Sequence, residues 1–152
     1  MKAKKVIFVF SGLIINHQRK ILLVKRKEKK LPEADNKWEF PGGKLNFGET
    51  IEETIEREIF EETGYQVIAK TMLPKPFYSL WHYPTFDQYT VIFCFLCQLK
   101  VNKKVVRDDH HVEEINWFSI NELEKLPLLP GVDFFIKQFL STKGYIKRLI
   151  EN

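Results

Sequence analysis

The segment GKLNFGETIEETIEREIFEETGY, Gly43–Tyr65, decides the fold of this 152-residue chain. Thr50 is followed three residues later by Glu53, the pattern of a capping box that satisfies amide groups at a helix N-terminus. Residues 51–63 contain neither proline nor glycine, and Gly64 stands where a left-handed C-terminal cap belongs. The segment therefore predicts one short helix that begins after Thr50 and ends before Gly64.

The glutamates of this helix do not all fall on its solvent side. At about 100° per residue, the isoleucines of residues 51–59 form one apolar stripe, which is the natural core face. The earlier glutamates fall well to one side, as solubilising residues should. Glu58 and Glu62 instead fall in the sector of the isoleucines, with Glu61 beside them. A helix that used glutamate only for solubility would not turn three of them toward its inward edge.

The spacing of Glu58, Glu61 and Glu62 predicts a site for a hard cation. Because they stand at i, i+3 and i+4, their carboxylates are near neighbours, and like charges so close raise one another's pKa. Either protonation or a cation relieves this repulsion, and several oxygen ligands favour Mg²⁺ or Mn²⁺ over Zn²⁺. The alternative, judged on the helix alone, is a solvated acidic face.

The residues before the helix add a backbone ligand to this hypothesis. Trp38–Phe40 has the composition of a short strand, and the following Pro41-Gly42-Gly43 is a turn whose backbone can approach another group closely. Because these glycines have no side chains, their backbone can come close to the acidic helix. This indicates that a backbone carbonyl is a further ligand of the same ion.

The same segment resembles the signature of the Nudix hydrolases. That signature is a glycine, five residues, glutamate, seven residues, Arg-Glu, an aliphatic residue, any residue, Glu-Glu, any residue, glycine and an aliphatic residue. The positions that match in register are Gly43, Glu49, Arg57, Glu58, Ile59, Glu61, Glu62 and Gly64. Tyr65 departs from the pattern, since an aliphatic residue is usual there, and this change affects packing rather than ligation.

The resemblance implies an α+β fold, the Nudix α/β/α sandwich with a mixed β-sheet between helices. It also implies hydrolysis of a phosphoanhydride in a nucleoside diphosphate that is linked to another group. Glu58, Glu61 and Glu62 would hold Mg²⁺, with Mn²⁺ possible, and the Gly42 carbonyl would be a further ligand. Glu58 and Glu61 would be catalytic as well as metal-binding, and no nucleophilic side chain is required.

Two further roles follow from the resemblance. Glu49 and Arg57 would form an ion pair that anchors the loop to the helix. The general base would be Glu58, or else a carboxylate of the loop RDDHHVEE at residues 107–114, where Glu113 is the first choice. The rivals of Glu113 in that loop are Asp108, Asp109 and Glu114.

Basic and aromatic residues outside the signature are candidates for substrate binding. Arg26 ends the segment KILLVKR. Some Nudix enzymes have an arginine at the end of the corresponding strand, and this resemblance suggests that Arg26 contacts a phosphate. The alternative is that Arg26 belongs to a solvated basic turn. Aromatic residues crowd the hairpin PFYSLWHYPTF at residues 76–86, where one or two rings could stack on a base. We take Trp38 and Tyr83 as the aromatic candidates, and the distance of Tyr83 from the signature is similar to that in dinucleoside polyphosphate hydrolases.

Hydrophobic periodicity and turn residues predict the other elements. A short helix begins at Ser119, whose capping box pairs with Glu122, and a last helix covers about residues 132–150. The predicted strands are 4–15, 20–26, 38–40, 66–73, 76–81, 86–101 and 114–118. Repeats, low-complexity tracts and linkers are absent from the sequence, so residues 1–152 are expected to form a single domain.

Composition and charge argue against several classes of protein. Hydrophobic residues make up 44% of the chain, yet none of its apolar runs reaches 18 residues, so we expect neither a transmembrane helix nor a membrane partner. The basic and apolar N-terminus lacks a small-residue cleavage site and therefore predicts a first strand and a cytoplasmic protein. The net charge of +4 is not concentrated on a recognised binding motif, so no nucleic-acid partner is expected.

Cys94 and Cys97 do not predict a metal or redox site. They lie in one predicted strand, where residues three apart point to opposite faces, so their thiols cannot converge. We expect both to be core thiols. His110 and His111 are adjacent in a polar loop and are expected to be solvated rather than to bind metal.

Three functions compete at this point. The first is Mg²⁺-dependent hydrolysis of a nucleoside triphosphate, oxidised forms included, to the monophosphate and pyrophosphate. The second is cleavage of ADP-ribose or a nucleotide sugar by the same helix. The third is a nucleotide sensor without turnover, which the complete set of signature carboxylates disfavours. A small-molecule nucleotide is the expected ligand of all three, and a homodimer is possible.

Overall fold

Eight strands and three helices make up the part of the chain that the computed structural model describes, residues 1–101, 104–105 and 111–142. The strands are β1 (Ala3–Ile14), β2 (Ile21–Arg26), β3 (Trp38–Glu39), β4 (Gly42–Gly43), β5 (Gln66–Met72), β6 (Phe77–His82), β7 (Phe86–Val101) and β8 (Val112–Phe118). The helices are α1 (Ile51–Thr63), α2 (Ile120–Leu123) and α3 (Val132–Ser141). The predicted strands are found within two residues of their expected bounds.

The predicted turn at Gly42–Gly43 forms the short strand β4, which pairs antiparallel with β1. The predicted extension of the last helix beyond residue 142, together with Asp108, Asp109 and His110, lies outside the described residues.

The strands form two sheets. The larger sheet has the order β4-β1-β7-β5, with β6 also paired to β7. Its β1 and β7 are parallel and the other pairs are antiparallel, which makes it the mixed sheet that was predicted. The smaller sheet has the order β3-β2-β8 and is antiparallel throughout.

The long strand β7 organises the larger sheet. Along one side it pairs with the whole of β1, from Ala3 opposite Phe86 to Ile14 opposite Cys97. Along the other side β6 pairs with its first half and β5 with its second half. The first half of β7 therefore lies between β1 and β6, and these three strands form a platform that carries the site described below.

Two apolar cores lie on opposite faces of the larger sheet. One packs Leu13, Cys94 and Leu96 against α3, where Phe135 is 1% exposed. The other packs the opposite face of β1 and β7 against α1. Strand β2 contributes to both cores, because its alternate side chains point to opposite faces. Helices thus cover both sides of the sheets, which is the α/β/α arrangement that was predicted.

Helix α1 forms for the local reasons that its sequence indicated. The Thr50 side chain accepts a hydrogen bond from the Glu53 amide, and the Glu53 carboxylate accepts one from the Thr50 amide. Gly64 has a φ of 76° and ends the helix in the left-handed region. Ile55 and Ile59 are fully buried, which anchors one face of the helix to the sheet. None of the helices in the described residues has the length and apolar character of a membrane span.

The two cysteines are core residues, as expected. Both are buried and neither forms a disulfide. Cys94 belongs to the core on the α3 side and Cys97 to the core on the α1 side, so their side chains point to opposite faces. Burial raises the pKa of the Cys94 thiol to about 12, which keeps it protonated and unreactive.

Candidate active site

A cavity of about 520 Å³ opens over the platform of β1, β7 and β6. The residues that line one end of it, here called the acidic end, are Gly42, Gly43, Lys44, Glu58 and Glu62. The floor consists of alternate residues of the three platform strands, namely Ile7, Val9, Ser11, Ser79, Trp81, Gln88, Thr90 and Ile92. The side walls include Arg26, Glu28, Glu39, Tyr83 and Leu129. Carboxylates, basic groups and aromatic rings therefore share one space.

The acidic end is built by close contact between strand β4 and helix α1. A Cβ placed on Gly43 would lie against the carboxyl group of Glu58, 2.6 Å from its Oε2 atom. A Cβ on Gly42 would likewise collide with the backbone of β1 at Phe10. Glycine is needed at both positions because only bare backbone leaves room for β4 between β1 and the carboxylate.

Arg57 ties the signature loop to the helix. Its Nε donates to Glu49 Oε2 at 2.6 Å, and its Nη2 donates to Glu49 Oε1 at 3.0 Å and to the Lys44 carbonyl at 3.1 Å. Its Nη1 donates to Glu58 Oε1 at 2.9 Å and to Glu61 Oε2 at 3.2 Å. One guanidinium therefore holds the loop in place and also contacts two of the three helix carboxylates.

This contact keeps the carboxylate of Glu49 ionised. Hydrogen bonds from Arg57 lower the pKa of Glu49 to about 2, with a smaller contribution from the Asn46 amide. The same bonds raise the pKa of Arg57 above its ordinary value. The bidentate geometry is the strong form of an arginine–carboxylate pair, so it fixes the loop more firmly than a single contact would.

The three carboxylates predicted to hold a cation are not placed alike. Glu58 and Glu62 line the cavity, whereas the Glu61 side chain is 45% exposed and contacts Arg57. Within the described residues, no group of three histidine, cysteine, aspartate or glutamate side chains stands ready to hold a metal ion. The donor set nevertheless fits a hard divalent cation, because two carboxylates and the bare backbone of Gly42 face the same space.

The acids predicted as alternative general bases lie on strand β8, away from the cavity lining. Glu113 is 3.4 Å from Lys27 Nζ and about half exposed, and Glu114 is 4.0 Å from Lys25 Nζ. Neither lines the cavity among the described residues, whereas their neighbour His111 does. Of the described candidates for the base, Glu58 is the one placed at the acidic end.

Arg26 lies in the cavity wall between two acids. Its Nη2 is 3.2 Å from Glu28 Oε2 and its Nη1 is 3.7 Å from Glu39 Oε2. Burial on its own would lower the pKa of Arg26, but the two carboxylates raise it above its ordinary value. Burial raises the pKa of Glu39, although Arg26 opposes this effect. The charge of Arg26 is therefore already balanced within the protein, which leaves less of it for a phosphate.

The two aromatic candidates have different surroundings. Trp38 is 5% exposed, packs edge-to-face on Phe118 at 4.8 Å between ring centroids, and does not line the cavity. This placement supports a core role for Trp38. Tyr83 lines the cavity but is 8% exposed and stacked on Phe86 at 4.5 Å. Trp81, two residues before Tyr83 in the chain, is less buried and lines the same cavity.

Sequence analysis missed the polar residues of the cavity floor. Ser79, Gln88 and Thr90 are ordinary strand residues in the sequence, and they become neighbours only through the pairing of β6 with β7. Period-2 alternation along β7 separates polar from apolar positions and could have indicated that one face is not core. The alternation could not have indicated that this face of the sheet lines the same cavity as Glu58 and Glu62 of α1.

The family model described as NUDIX domain matches residues 7–140. A putative 8-oxo-dGTP diphosphatase of Bacillus subtilis is 47% identical over 53 residues, 35% of this chain and 32% of that protein. An ADP-ribose pyrophosphatase of Methanocaldococcus jannaschii is 32% identical over 113 residues, 74% of this chain and 62% of that protein. The match thus spans less than two thirds of the length of these relatives.

A solved structure gives a similar result for the fold. The crystal structure of the MutT protein from Methanosarcina mazei Go1 aligns with a TM-score of 0.63 at 26% sequence identity. The alignment covers 92% of this chain and 97% of that chain. The similarity therefore extends over nearly the whole of both chains.

Proposed function

Because this chain belongs to the Nudix family, we propose that it is a pyrophosphohydrolase that cleaves a phosphoanhydride in a nucleoside diphosphate linked to another group. The preferred substrate in this proposal is a nucleoside triphosphate, including an oxidised one, which yields the monophosphate and pyrophosphate. The observation that carries the proposal is a cavity that has carboxylates at one end and aromatic and polar groups on its floor. Such a cavity suits a ligand with a charged anhydride and a flat base.

The acidic end is the proposed site of the reaction. Glu58, Glu61 and Glu62, with the Gly42 carbonyl, would hold a divalent cation, Mg²⁺ or else Mn²⁺. When bound, such a cation offsets the charge of the anhydride oxygens and makes a nearby water more acidic. For Glu61 this role requires its carboxylate to turn from Arg57 toward the cavity, a change of side-chain rotamer on the same helix edge.

Glu58 is proposed to take the proton of the attacking water. The water oxygen bonds to one phosphorus of the anhydride, the bridging P–O bond breaks, and the proton passes to the Glu58 carboxylate. Arg57 Nη1 donates a hydrogen bond to Glu58 Oε1 at 2.9 Å, which holds this carboxylate in place at the acidic end. Glu113 is the alternative base, and it would have to leave Lys27 to act.

Two variants distinguish these bases. Glu58→Gln is expected to lower kcat by orders of magnitude. Glu113→Gln is expected to retain the wild-type rate. The reverse pattern would transfer the role of base to Glu113.

Arg57 and Glu49 are proposed to position the site. Their bidentate pair fixes the loop that carries Lys44, and Lys44 lines the acidic end. Lys44 is therefore our candidate for a phosphate contact alongside Arg26, whose charge is shared with Glu28 and Glu39.

A second substrate is supported by a specific similarity. The ADP-ribose pyrophosphatase of Methanocaldococcus jannaschii matches 74% of this chain, whereas the 8-oxo-dGTP diphosphatase match covers 35% at higher identity. Hydrolysis of ADP-ribose is therefore the second candidate activity. A sensor without turnover is the third, and the retention of all signature carboxylates disfavours it.

A nucleotide panel tests the proposal. The purified chain would be incubated with Mg²⁺ and each common nucleoside triphosphate, 8-oxo-dGTP or ADP-ribose, and monophosphate formation followed by ion-exchange chromatography. Monophosphate from a triphosphate supports the first activity, and monophosphate from ADP-ribose alone supports the second. Tight binding without any product would favour the sensor and overturn the enzymatic proposal.

We also propose a homodimer that forms through an exposed apolar face of the platform. Val6, Phe8, Tyr78, Leu80 and Tyr89, here called the apolar face, are each between 43% and 63% exposed and lie on the side opposite the cavity floor. Together they expose on the order of 500 Å² of mainly apolar surface, since aromatic side chains alone carry about 150–250 Å² each. A stable dimer buries about 800 Å² per partner, so this face supplies a large part of what a second copy needs.

The proposal also covers the location of the chain and its ligand. We propose a cytoplasmic location for the chain. A small-molecule nucleotide is the proposed ligand.

A further inference from the structure

We propose that Gln88 selects the nucleobase of the substrate, with the base lying against the ring of Trp81. Gln88, Ser79 and Thr90, here called the polar floor, are the polar side chains of the platform nearest to that ring. This inference rests on the proposed function and adds to it the residue that sets base preference.

Strand pairing brings the polar floor and Trp81 together. In the antiparallel pair of β6 and β7, Trp81 lies opposite Gln88 and Ser79 lies opposite Thr90. Side chains of paired residues point to the same face of a sheet, so all four stand over the same floor. On the other side of β7 the neighbour of Thr90 is Ile7, which gives the floor an apolar border.

Hydrogen bonds within the floor hold these groups in place. Gln88 Nε2 donates to Thr90 Oγ1 at 3.0 Å, and Trp81 Nε1 donates to Ser79 Oγ at 3.1 Å. Thr90 is 4% exposed, so it is a fixed anchor for the amide. A glutamine amide has two N–H groups and a carbonyl oxygen, and the bond to Thr90 uses only one of the N–H groups. The amide can therefore donate and accept side by side toward a ligand.

The polar floor lies at a suitable distance from the acidic end. Gly43 is paired with Phe10 of β1, and Gln88 is paired with Lys5 of the same strand, five residues away. Five residues along a strand span roughly 16 Å. This separation is comparable to the length of an extended nucleotide, so an anhydride at Glu58 leaves the base near Trp81.

The charges near the floor favour a base there over a phosphate. Ser79, Gln88 and Thr90 are neutral, and a side wall of the same cavity carries Glu28 and Glu39 around Arg26. Because Glu28 and Glu39 share the charge of Arg26, this wall attracts a phosphate group less than an unpaired guanidinium would. A neutral, flat base can stack on an aromatic ring and needs no unpaired cation.

The chemistry of the amide gives a specific expectation. Glutamine pairs with a base edge that presents a donor beside an acceptor, as adenine does. A carboxylate only accepts, so it pairs with two adjacent donors, as on the N1–H and N2–H₂ edge of guanine. Gln88→Glu should therefore shift selectivity from adenine toward guanine nucleotides, whatever the absolute rates.

The test compares this variant with a matched control in the same strand. Gln98→Glu places the same new charge on β7 outside the cavity lining. We expect the ratio of kcat/KM for GTP over ATP to rise about tenfold or more in Gln88→Glu, and to stay at the wild-type value in Gln98→Glu. A ratio in Gln88→Glu within about twofold of wild type would overturn the inference.

A binding measurement separates this inference from the proposed function. Dissociation constants of the α,β-imido analogues of ATP and GTP would be measured by calorimetry for wild type and both variants. If the wild-type chain hydrolyses no nucleotide, the proposed function fails, but a shift of the binding ratio in Gln88→Glu would still support base selection. An unchanged binding ratio, or no binding of either analogue to wild type, would overturn it.

Discussion

At the scale of single residues, Arg57 is the centre of the candidate site. Its guanidinium contacts the carboxylates of Glu49, Glu58 and Glu61 and the carbonyl of Lys44. The signature pattern allowed the Glu49–Arg57 pair to be predicted, because both partners lie in one motif. The sequence could not reveal that Glu61 contacts Arg57 while Glu58 and Glu62 line the cavity. Side-chain rotamers depend on tertiary contacts, which cannot be derived from the spacing of residues in the sequence.

Removing one cavity carboxylate is expected to abolish most activity. Glu62→Gln keeps the size of the side chain but removes a charge proposed to hold the cation, so kcat/KM should fall on the order of 10³-fold. The matched control is Glu52→Gln, an exposed position on the same helix. Nucleotide turnover and circular dichroism would be measured for both variants. Wild-type turnover in Glu62→Gln would refute the assignment.

The Glu49–Arg57 pair should make stability depend on pH. The pKa of Glu49 is about 2 in the folded chain and about 4.3 when unfolded, so the pair stabilises the fold above the unfolded value. This stabilisation should be lost progressively as the pH falls from about 4 toward 2. Urea unfolding of wild type and Glu49→Gln would show a constant difference in free energy of unfolding at neutral pH and a shrinking difference in acid. A difference independent of pH would contradict this.

At the scale of elements, helix α1 could be predicted almost completely. Its capping box, its apolar stripe and its terminal glycine are local signals, and each is found in the structure. The cavity floor could not be predicted in the same way. Gln88 and Ser79 approach one another only because β6 and β7 pair in one register, and that register depends on the packing of the whole sheet.

Loss of the N-cap should weaken the fold by a predictable amount. Thr50→Ala removes the acceptor for the Glu53 amide and should lower the free energy of unfolding by about 1 kcal/mol. Thr50→Ser keeps a hydroxyl acceptor and serves as the control. Denaturant unfolding of the three chains provides the measurement, and equal stability of Thr50→Ala and wild type would show that the cap does not matter.

At the scale of the whole molecule, the platform of β1, β7 and β6 has two different faces. One face forms the cavity floor, and the other is the apolar face. The alternation of side chains in these strands could be read from the sequence, but not which of the two faces a second element covers. The described chain covers neither face fully, which is why a ligand is proposed for one and a second copy for the other.

Charge on the apolar face should prevent the proposed dimer. Phe8 is 53% exposed, and Phe8→Asp would place a carboxylate in the interface, where burial without a partner is costly. Leu45, 48% exposed on the signature loop, provides the control substitution Leu45→Asp. Light scattering coupled to size-exclusion chromatography should give a dimer for wild type and Leu45→Asp and a monomer for Phe8→Asp. A monomeric wild type at high protein concentration would exclude the dimer.

The central claim is that the glutamates of α1 gather a divalent cation in the cavity. Mn²⁺ binding, followed by electron paramagnetic resonance in the presence of a non-hydrolysable nucleotide, tests it most directly. We predict saturable binding by wild type and Glu52→Gln, and binding at least about tenfold weaker in Glu62→Gln. Equal Mn²⁺ affinity in Glu62→Gln and wild type, or no saturable binding by wild type, would contradict the claim.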